Sequence, residues 1–242
     1  MKILILLSLI SFSVHAQDAR SWNASIGFGV AFKKNLRVGN TYEDLDKKTI
    51  IKPIPFIQGN YGRVSLQGQG LSLMAYGNQA MNVSAFITRA GDRYHGLDMT
   101  PRKDSVFTGI SGKFLNYGLS VSHDINGRSK GYITHFNYGK MFIFSSEFMM
   151  RAGGGIEWFD DRYAEYYYSV KSTEVKASRR EHHVNNYFQP GVNIMPIYKT
   201  SENTSIVTIL GMKFIPKDVR QSPTMNGDKL EYGGIIAFNY KL

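Results

Sequence analysis

Serine, histidine and carboxylate side chains can cleave esters when one activates the next, and Ser122-His123-Asp124 brings the three types together. The trio ends a segment in which Leu119 and Val121 alternate with Ser120 and Ser122. Adjacent residues of an extended chain point to opposite faces, so His123 cannot relay a proton between its neighbours. His135 shares a face with Asn137 and Gly139, opposite Tyr132, Phe136 and Tyr138. A lipid-facing Ser/His pair, as a membrane phospholipase needs, is therefore not indicated. His182-His183 lies in a basic stretch with Lys171, Lys176, Arg179 and Arg180, without the spaced further ligands of a metal site. The chain has no cysteine, which removes thiol chemistry, disulfides and Cys-ligated zinc. The reading is a non-enzymatic protein with no metal and no cofactor.

A different set of charges is more regular. Lys113, Arg151, Glu157, Lys213 and Lys241 each lie on the polar side of a period-two pattern. Phe148, Met150, Ala152, Gly154, Ile156 and Trp158 alternate with Arg151, Gly153, Gly155 and Glu157. Ile206, Thr208, Leu210, Met212 and Phe214 alternate with Ser205, Gly211 and Lys213. Val106, Thr108, Ile110, Gly112 and Phe114 alternate with Gly109, Ser111 and Lys113. Buried in a dry sandwich core such charges would be costly. Lining a wet or ion-paired lumen they are natural. They are the candidate pore residues. Arg151 and Glu157, six apart on one strand, would sit about 20 Å from each other, so their partners are expected on neighbouring strands.

The same alternation marks the elements that must carry them. Trp22, Ala24, Ile26, Phe28, Val30 and Phe32 alternate with Asn23, Ser25, Gly27, Gly29 and Ala31. Phe188, Val192 and Ile194 alternate with Gln189, Gly191 and Asn193. In residues 232–242, Ile236, Phe238, Tyr240 and Leu242 share one face and Ile235, Ala237, Asn239 and Lys241 the other. Phe238, Tyr240 and Leu242 on such a last strand suit the barrel-closing, assembly-signalling strand of an outer-membrane barrel: rings toward lipid and no edge left in hydrocarbon.

Residues 1–16 read as a signal peptide, with Lys2 before an apolar run and Val14-His15-Ala16 as the cleavage site. The run is shorter than the roughly 20 residues a spanning helix needs. With mean hydropathy −0.25 and no other long apolar stretch, a helical inner-membrane protein is excluded. The expected organisation is an exported leader at 1–16 and one barrel domain at 17–242. Fifteen Tyr, fifteen Phe and 24 Gly fit a barrel with aromatic girdles and crowded walls. A formal net charge of +10 points, for an exported barrel, to lipopolysaccharide phosphates or the anionic cell wall rather than nucleic acid.

Eleven segments can be counted, and single-chain bacterial barrels have even numbers. The expectation is therefore an all-β, antiparallel, up-and-down transmembrane barrel of about twelve strands, with ten as the alternative. Two segments are irregular. Residues 50–61 contain Pro53 and Pro55, which cannot donate to a ladder. Residues 64–76 change phase: Val64 and Leu66 lie on one parity, Leu71, Leu73 and Ala75 on the other, so a bulge or a tight turn is expected at Gly68 and Gly70. Long connections at 33–49, 89–104, 159–185 and 216–229 would lie outside, short ones at 61–63, 116–117 and 199–204 inside. The most distinctive loop stretch is acidic and aromatic. Trp158, Asp160, Asp161, Tyr163, Tyr166 and Tyr167 are candidates either for anchoring a partner or for packing over the barrel mouth.

Several stretches in order resemble the MipA/OmpV family of Gram-negative outer-membrane proteins. They are Lys52-Pro53-Ile54-Pro55-Phe56 before Tyr61-Gly62-Arg63; Gly96-Leu97-Asp98-Met99 leading through Arg102 and Asp104; residues 158–170; and Gln221-Ser222-Pro223. The resemblance implies Sec export to the outer membrane and a scaffold or envelope-interaction role. One relative of this kind is described as joining a murein lytic transglycosylase to a penicillin-binding protein, and others as porin-like or adhesive. It implies no catalytic residues. A narrow channel for small, anionic solutes, with Lys113, Arg151, Lys213 and Lys241 in its wall, is the competing expectation.

Overall fold

A computed structural model describes residues 22–41, 47–67, 70–78 and 80–242. The leader expected at 1–16, and Gly68 of the phase change, lie outside the described residues. Twelve antiparallel strands close into a barrel: β1 Trp22–Lys34, β2 Thr49–Tyr61, β3 Val64–Gln67, β4 Gly70–Gly77, β5 Met81–Ala90, β6 Ser105–Phe114, β7 Tyr117–Asp124, β8 Tyr132–Ile143, β9 Phe148–Phe159, β10 Tyr187–Lys199, β11 Thr204–Phe214 and β12 Leu230–Lys241. Each strand pairs with its neighbours in sequence, and β12 returns to β1.

Period two decides the faces. On β12, Phe238 is 52% exposed and Ala237 is 1% exposed, as an outward ring beside an inward methyl requires. Ile236, Tyr240 and Leu242 share the outward face. On the seam, Ile26 pairs with Tyr240, Phe28 with Phe238 and Val30 with Ile236, so apolar pairs stack along the lipid side where the chain closes on itself.

The strand missed in the sequence count lies in the segment that changes phase. Residues 64–76 are two strands, not one bulged strand: Leu66 pairs with Leu71 and Val64 with Leu73 across a hairpin. Parity switches there because the chain reverses. A separate register shift sits between Met74 and Tyr76, against Val83 and Ser84 of β5, and it turns the Tyr76 ring outward.

Pro53 and Pro55 do not break β2. That strand pairs with β1 over its whole length, Val30 opposite Pro53 and Phe28 opposite Pro55. On its other side β3 covers only residues 58–61. Tyr61 pairs with Val64 across the two-residue turn at Gly62-Arg63, so odd-numbered residues of β2 direct their N–H groups away from β1. Both prolines stand where no neighbouring strand asks for a donor.

Candidate functional site

Below the outer loops the lumen holds a polar chamber of about 360 Å³. Its wall is built from β8–β12 and β1, and it is lined among others by Lys33, His135, Glu157, Asn193, Lys213 and Glu231. Glycine makes the room. Gly155 and Gly191 stand opposite each other between β9 and β10, and Gly191 stands opposite Lys213 on β11. With no side chain on that path, Lys213 Nζ reaches Glu157 Oε2 at 2.6 Å from two strands away. The partner of Glu157 was expected one strand away; the glycine wall doubles that reach. His135 is directly opposite Glu157 across β8 and β9.

The other candidate lumen charges do not join this cluster. The strand directions put Arg151, Lys113 and Lys241 near the short-turn end, far from Lys213 at the outer end of β11. Arg151 lies flat over the backbone of β8, where a Cβ on Gly139 would come within 2.9 Å of its Nε. Phe238, Tyr240 and Leu242 lie on the lipid side of the closing strand.

The acidic and aromatic stretch forms a helix, α1 Asp161–Tyr168, which alternation analysis could not reveal. Asp160 caps it: its Oδ1 accepts from Tyr163 N and from Tyr132 N, both at 3.0 Å, so one carboxylate starts the helix and pins it to β8. Asp161 Oδ1 accepts from Asn186 N at 2.6 Å, fixing the far end of the same loop. The helix turns Tyr163, Ala164 and Tyr167 into the mouth, against Phe107, Phe159 and Tyr187 of the barrel rim. Ring centroids step from Tyr187 to Phe159 at 4.8 Å, to Tyr163 at 4.6 Å and to Tyr167 at 4.5 Å. Tyr167 Oη donates to Lys103 O at 3.0 Å, and Tyr166 Oη accepts from Lys103 N at 3.0 Å. Burial pushes the Tyr163 phenol well above its usual range. Trp158 stays on the half-buried outer face of β9.

Arg37, in the first outer loop, joins this helix to three other loops. Its side chain is 3% exposed. Nε binds Asp92 Oδ2 at 2.6 Å, one terminal nitrogen donates to Thr224 Oγ1 at 3.0 Å, and the other to Tyr167 O at 3.0 Å. Its guanidinium also lies over the rings of Tyr94 and Tyr168, 4.9 and 4.6 Å from their centroids. Four loops, far apart in sequence, converge on one planar cation whose donors are fixed in a fork. Ser222 Oγ donates to Tyr168 O at 2.6 Å and adds a second tie from the last loop. Nothing in the sequence distinguished Arg37 among 29 basic residues, because its partners come from loops up to 187 positions away.

An ion pair buried on both sides holds the outer edge of the cap. Arg102 and Glu174 side chains are each 3% exposed, with contacts of 2.7 and 2.8 Å. Glu174 also accepts from Thr100 N and Lys171 N. Burial raises the Glu174 carboxyl, but the Arg102 and backbone donors outweigh it and leave the group at about 2. A carboxylate with a depressed folded pKa stabilises the fold above its unfolded pKa, and that stabilisation fades as pH falls through the folded value. The cap is therefore expected to loosen between about pH 4.5 and about pH 2. The protection of the Thr100 and Lys171 amides, taken as the intrinsic exchange rate at each pH divided by the observed rate, should fall in that window in the wild type. It should be low and independent of pH in Glu174→Gln; a protection profile in that variant like that of the wild type would remove the assignment.

The outer end is thus closed by packed rings and by the ion pairs of Arg37 and Arg102, and the lumen beneath is lined by polar side chains. A family profile described as MltA-interacting protein MipA matches residues 26–242. The outer membrane protein OmpV of Vibrio cholerae is 24% identical over 186 residues, 71% of each chain. A 24 kDa outer membrane protein of Pasteurella multocida is 20% identical over 243 residues, covering 91% of this chain and 89% of that one. Among solved structures, an outer membrane channel from Pseudomonas putida F1 aligns with 95% of this chain and 100% of its own, at 11% identity and a TM-score of 0.41.

Proposed function

The chain belongs to the MltA-interacting protein MipA family, an outer-membrane β-barrel of the MipA/OmpV type, and from that premise we propose that it is a non-enzymatic scaffold for cell-wall machinery. The observation that carries this reading is the closed outer mouth: the rings around Tyr163 and Tyr167 and the four-loop tie at Arg37 occupy the route a solute would take. The partner side is then the opposite end, where the short turns at 62–63, 115–116, 144–147 and 200–203 project into the periplasm. Murein lytic transglycosylase and penicillin-binding protein are the partners the family name and resemblance suggest. Lipopolysaccharide surrounds the barrel.

Purified protein in planar bilayers is expected to pass no steady current. A photo-crosslinking residue at Ser146 or Glu202, in the short turns, should capture a murein enzyme in envelopes; the same residue at Arg180 in the cap should not. Capture from the cap alone would transfer the role to the outer surface, as an adhesin requires.

The polar chamber favours the second reading, a narrow channel for small anionic solutes. On that reading the wild type conducts, and Lys213→Glu or Arg151→Glu shifts its ion selectivity toward cations. A steady current with such a shift would replace the scaffold reading.

A further inference from the structure

The chamber under the cap holds more hydrogen-bonding groups than the protein itself uses. Its two ammonium groups are already matched. Lys213 Nζ binds Glu157 Oε2 at 2.6 Å, and Lys33 Nζ lies 3.6 Å from Asp92 Oδ1. Three other groups are not matched. Glu231 stands directly opposite Lys213 across β11 and β12, yet the lysine turns to Glu157. Among the described residues, the Glu231 carboxylate joins no ion pair and no hydrogen bond. Gln189 is 8% exposed and lies directly opposite Glu157 across β9 and β10. Its amide lines the chamber and makes no hydrogen bond among the described residues. His135 flanks Glu157 on the other side, and its ring likewise makes none. A buried amide without a partner is costly, so one that faces a cavity marks a place where water or a ligand supplies the bond.

The shape narrows the ligand. Gly155, Gly191, Gly211 and Gly233 take inward positions on four successive strands, Gly155 opposite Gly191 and Gly211 opposite Gly233. A flat ring can therefore lie against bare backbone. The space of about 360 Å³ is at the small end of ligand cavities, which run from roughly 300 to 1,000 Å³. It has room for one sugar ring with its substituents. The chemistry narrows it further. Gln189, Asn137 and Asn193 amides and the His135 imidazole both donate and accept, as vicinal hydroxyls do. An unmatched carboxylate calls for a cation. An anion would find both lysines of the chamber occupied.

We propose that the chamber is a binding site for a small amino sugar, with the ammonium on Glu231 and the hydroxyls on Gln189, His135, Asn137 and Asn193. The proposal goes beyond the scaffold reading and stands whether or not a murein enzyme binds at the short turns. Ligand-observed NMR on the full barrel in detergent at neutral pH tests it, with heat-modifiable migration confirming each variant. The probes are D-glucosamine, D-glucose, which lacks the ammonium, and cyclohexylamine, which lacks the hydroxyls. D-glucosamine should bind saturably and more tightly than either of the others. Glu231→Gln should weaken D-glucosamine by at least about tenfold, the loss of one charge-assisted hydrogen bond, and leave D-glucose unchanged. Gln189→Leu should weaken both sugars. Gly211→Leu should abolish binding by filling the chamber. The added Cβ meets nothing nearer than Val192 O at 3.8 Å, so this variant should fold, and Gly211→Val replaces it if it does not.

No saturable binding of D-glucosamine up to about 10 mM would overturn the proposal. Binding that survives Gly211→Leu would overturn it too, since the sugar would then sit elsewhere. An unchanged affinity in Glu231→Gln, or D-glucose bound as tightly as D-glucosamine, would refute the ammonium's place. Cyclohexylamine bound as tightly as D-glucosamine would refute the sugar.

Discussion

Arg37→Ala is expected to open the outer mouth. The substitution leaves Asp92 without its main cation, removes the donors to Thr224 and Tyr167, and withdraws the cation from the Tyr94 and Tyr168 rings. Removing one partner of a fully buried ion pair costs about 3–5 kcal/mol; here the Asp92 side chain is 31% exposed and keeps Lys33 Nζ at 3.6 Å, so the loss lies below that range and comes mainly from the donors withdrawn from Thr224 and Tyr167. The barrel ladders are untouched, so the loss falls on the cap. Three readouts should move together: heat-modifiable migration persists, protease cleavage within residues 91–104 and 160–186 rises by orders of magnitude, and a steady current appears in planar bilayers. Arg37→Lys keeps the charge but not the fork, and should lie between. Wild-type protease resistance in Arg37→Ala would mean that the aromatic packing alone closes the mouth.

Gly27→Val should prevent the barrel from closing. A Cβ at Gly27 would sit 2.0 Å from the carbonyl oxygen of Phe238 and 3.1 Å from the Cα of Asn239. Both atoms are backbone of β12, so no rotamer can relieve the contact. Overpacking usually costs about 1–3 kcal/mol where side chains can shift, and more where they cannot. The site also lies on the seam between β1 and β12, which every other ladder depends on for closure. The expected result is loss of the heat-modifiable band on refolding. Gly112→Val is the control. It faces outward on β6 with nothing within 4 Å of the added carbon, and it should fold as the wild type does. Normal folding of both variants would show that the seam breathes enough to admit a side chain.

Much of the barrel can be read directly from residue order. The faces of β1, β6, β9, β11 and β12 follow from alternation, because the pleat turns successive side chains to opposite sides whatever the neighbouring strand is. The twelfth strand was present as a change of phase at 64–76, though alternation alone could not tell a bulge from a reversal. The prolines of β2 looked like an interruption because a proline's missing N–H is harmful only if a neighbour needs it, and that depends on where β3 ends. Helix α1 was hidden in the same way. Its eight residues are too few for a strong periodic signal, and Asp160 becomes a cap only when Tyr132 and Tyr163 are both within reach.

The residue order by itself determined a lipid-facing cylinder, its strand faces and the polarity of its lining, since these rest on side chains a few positions apart. Tertiary structure alone decided which charges meet. Lys213 finds Glu157 across two glycines of β9 and β10, and Arg37 finds partners 55, 130 and 187 residues away. Such contacts depend on how the barrel closes and how its loops fold inward, and a local repeat holds no information about distances through space.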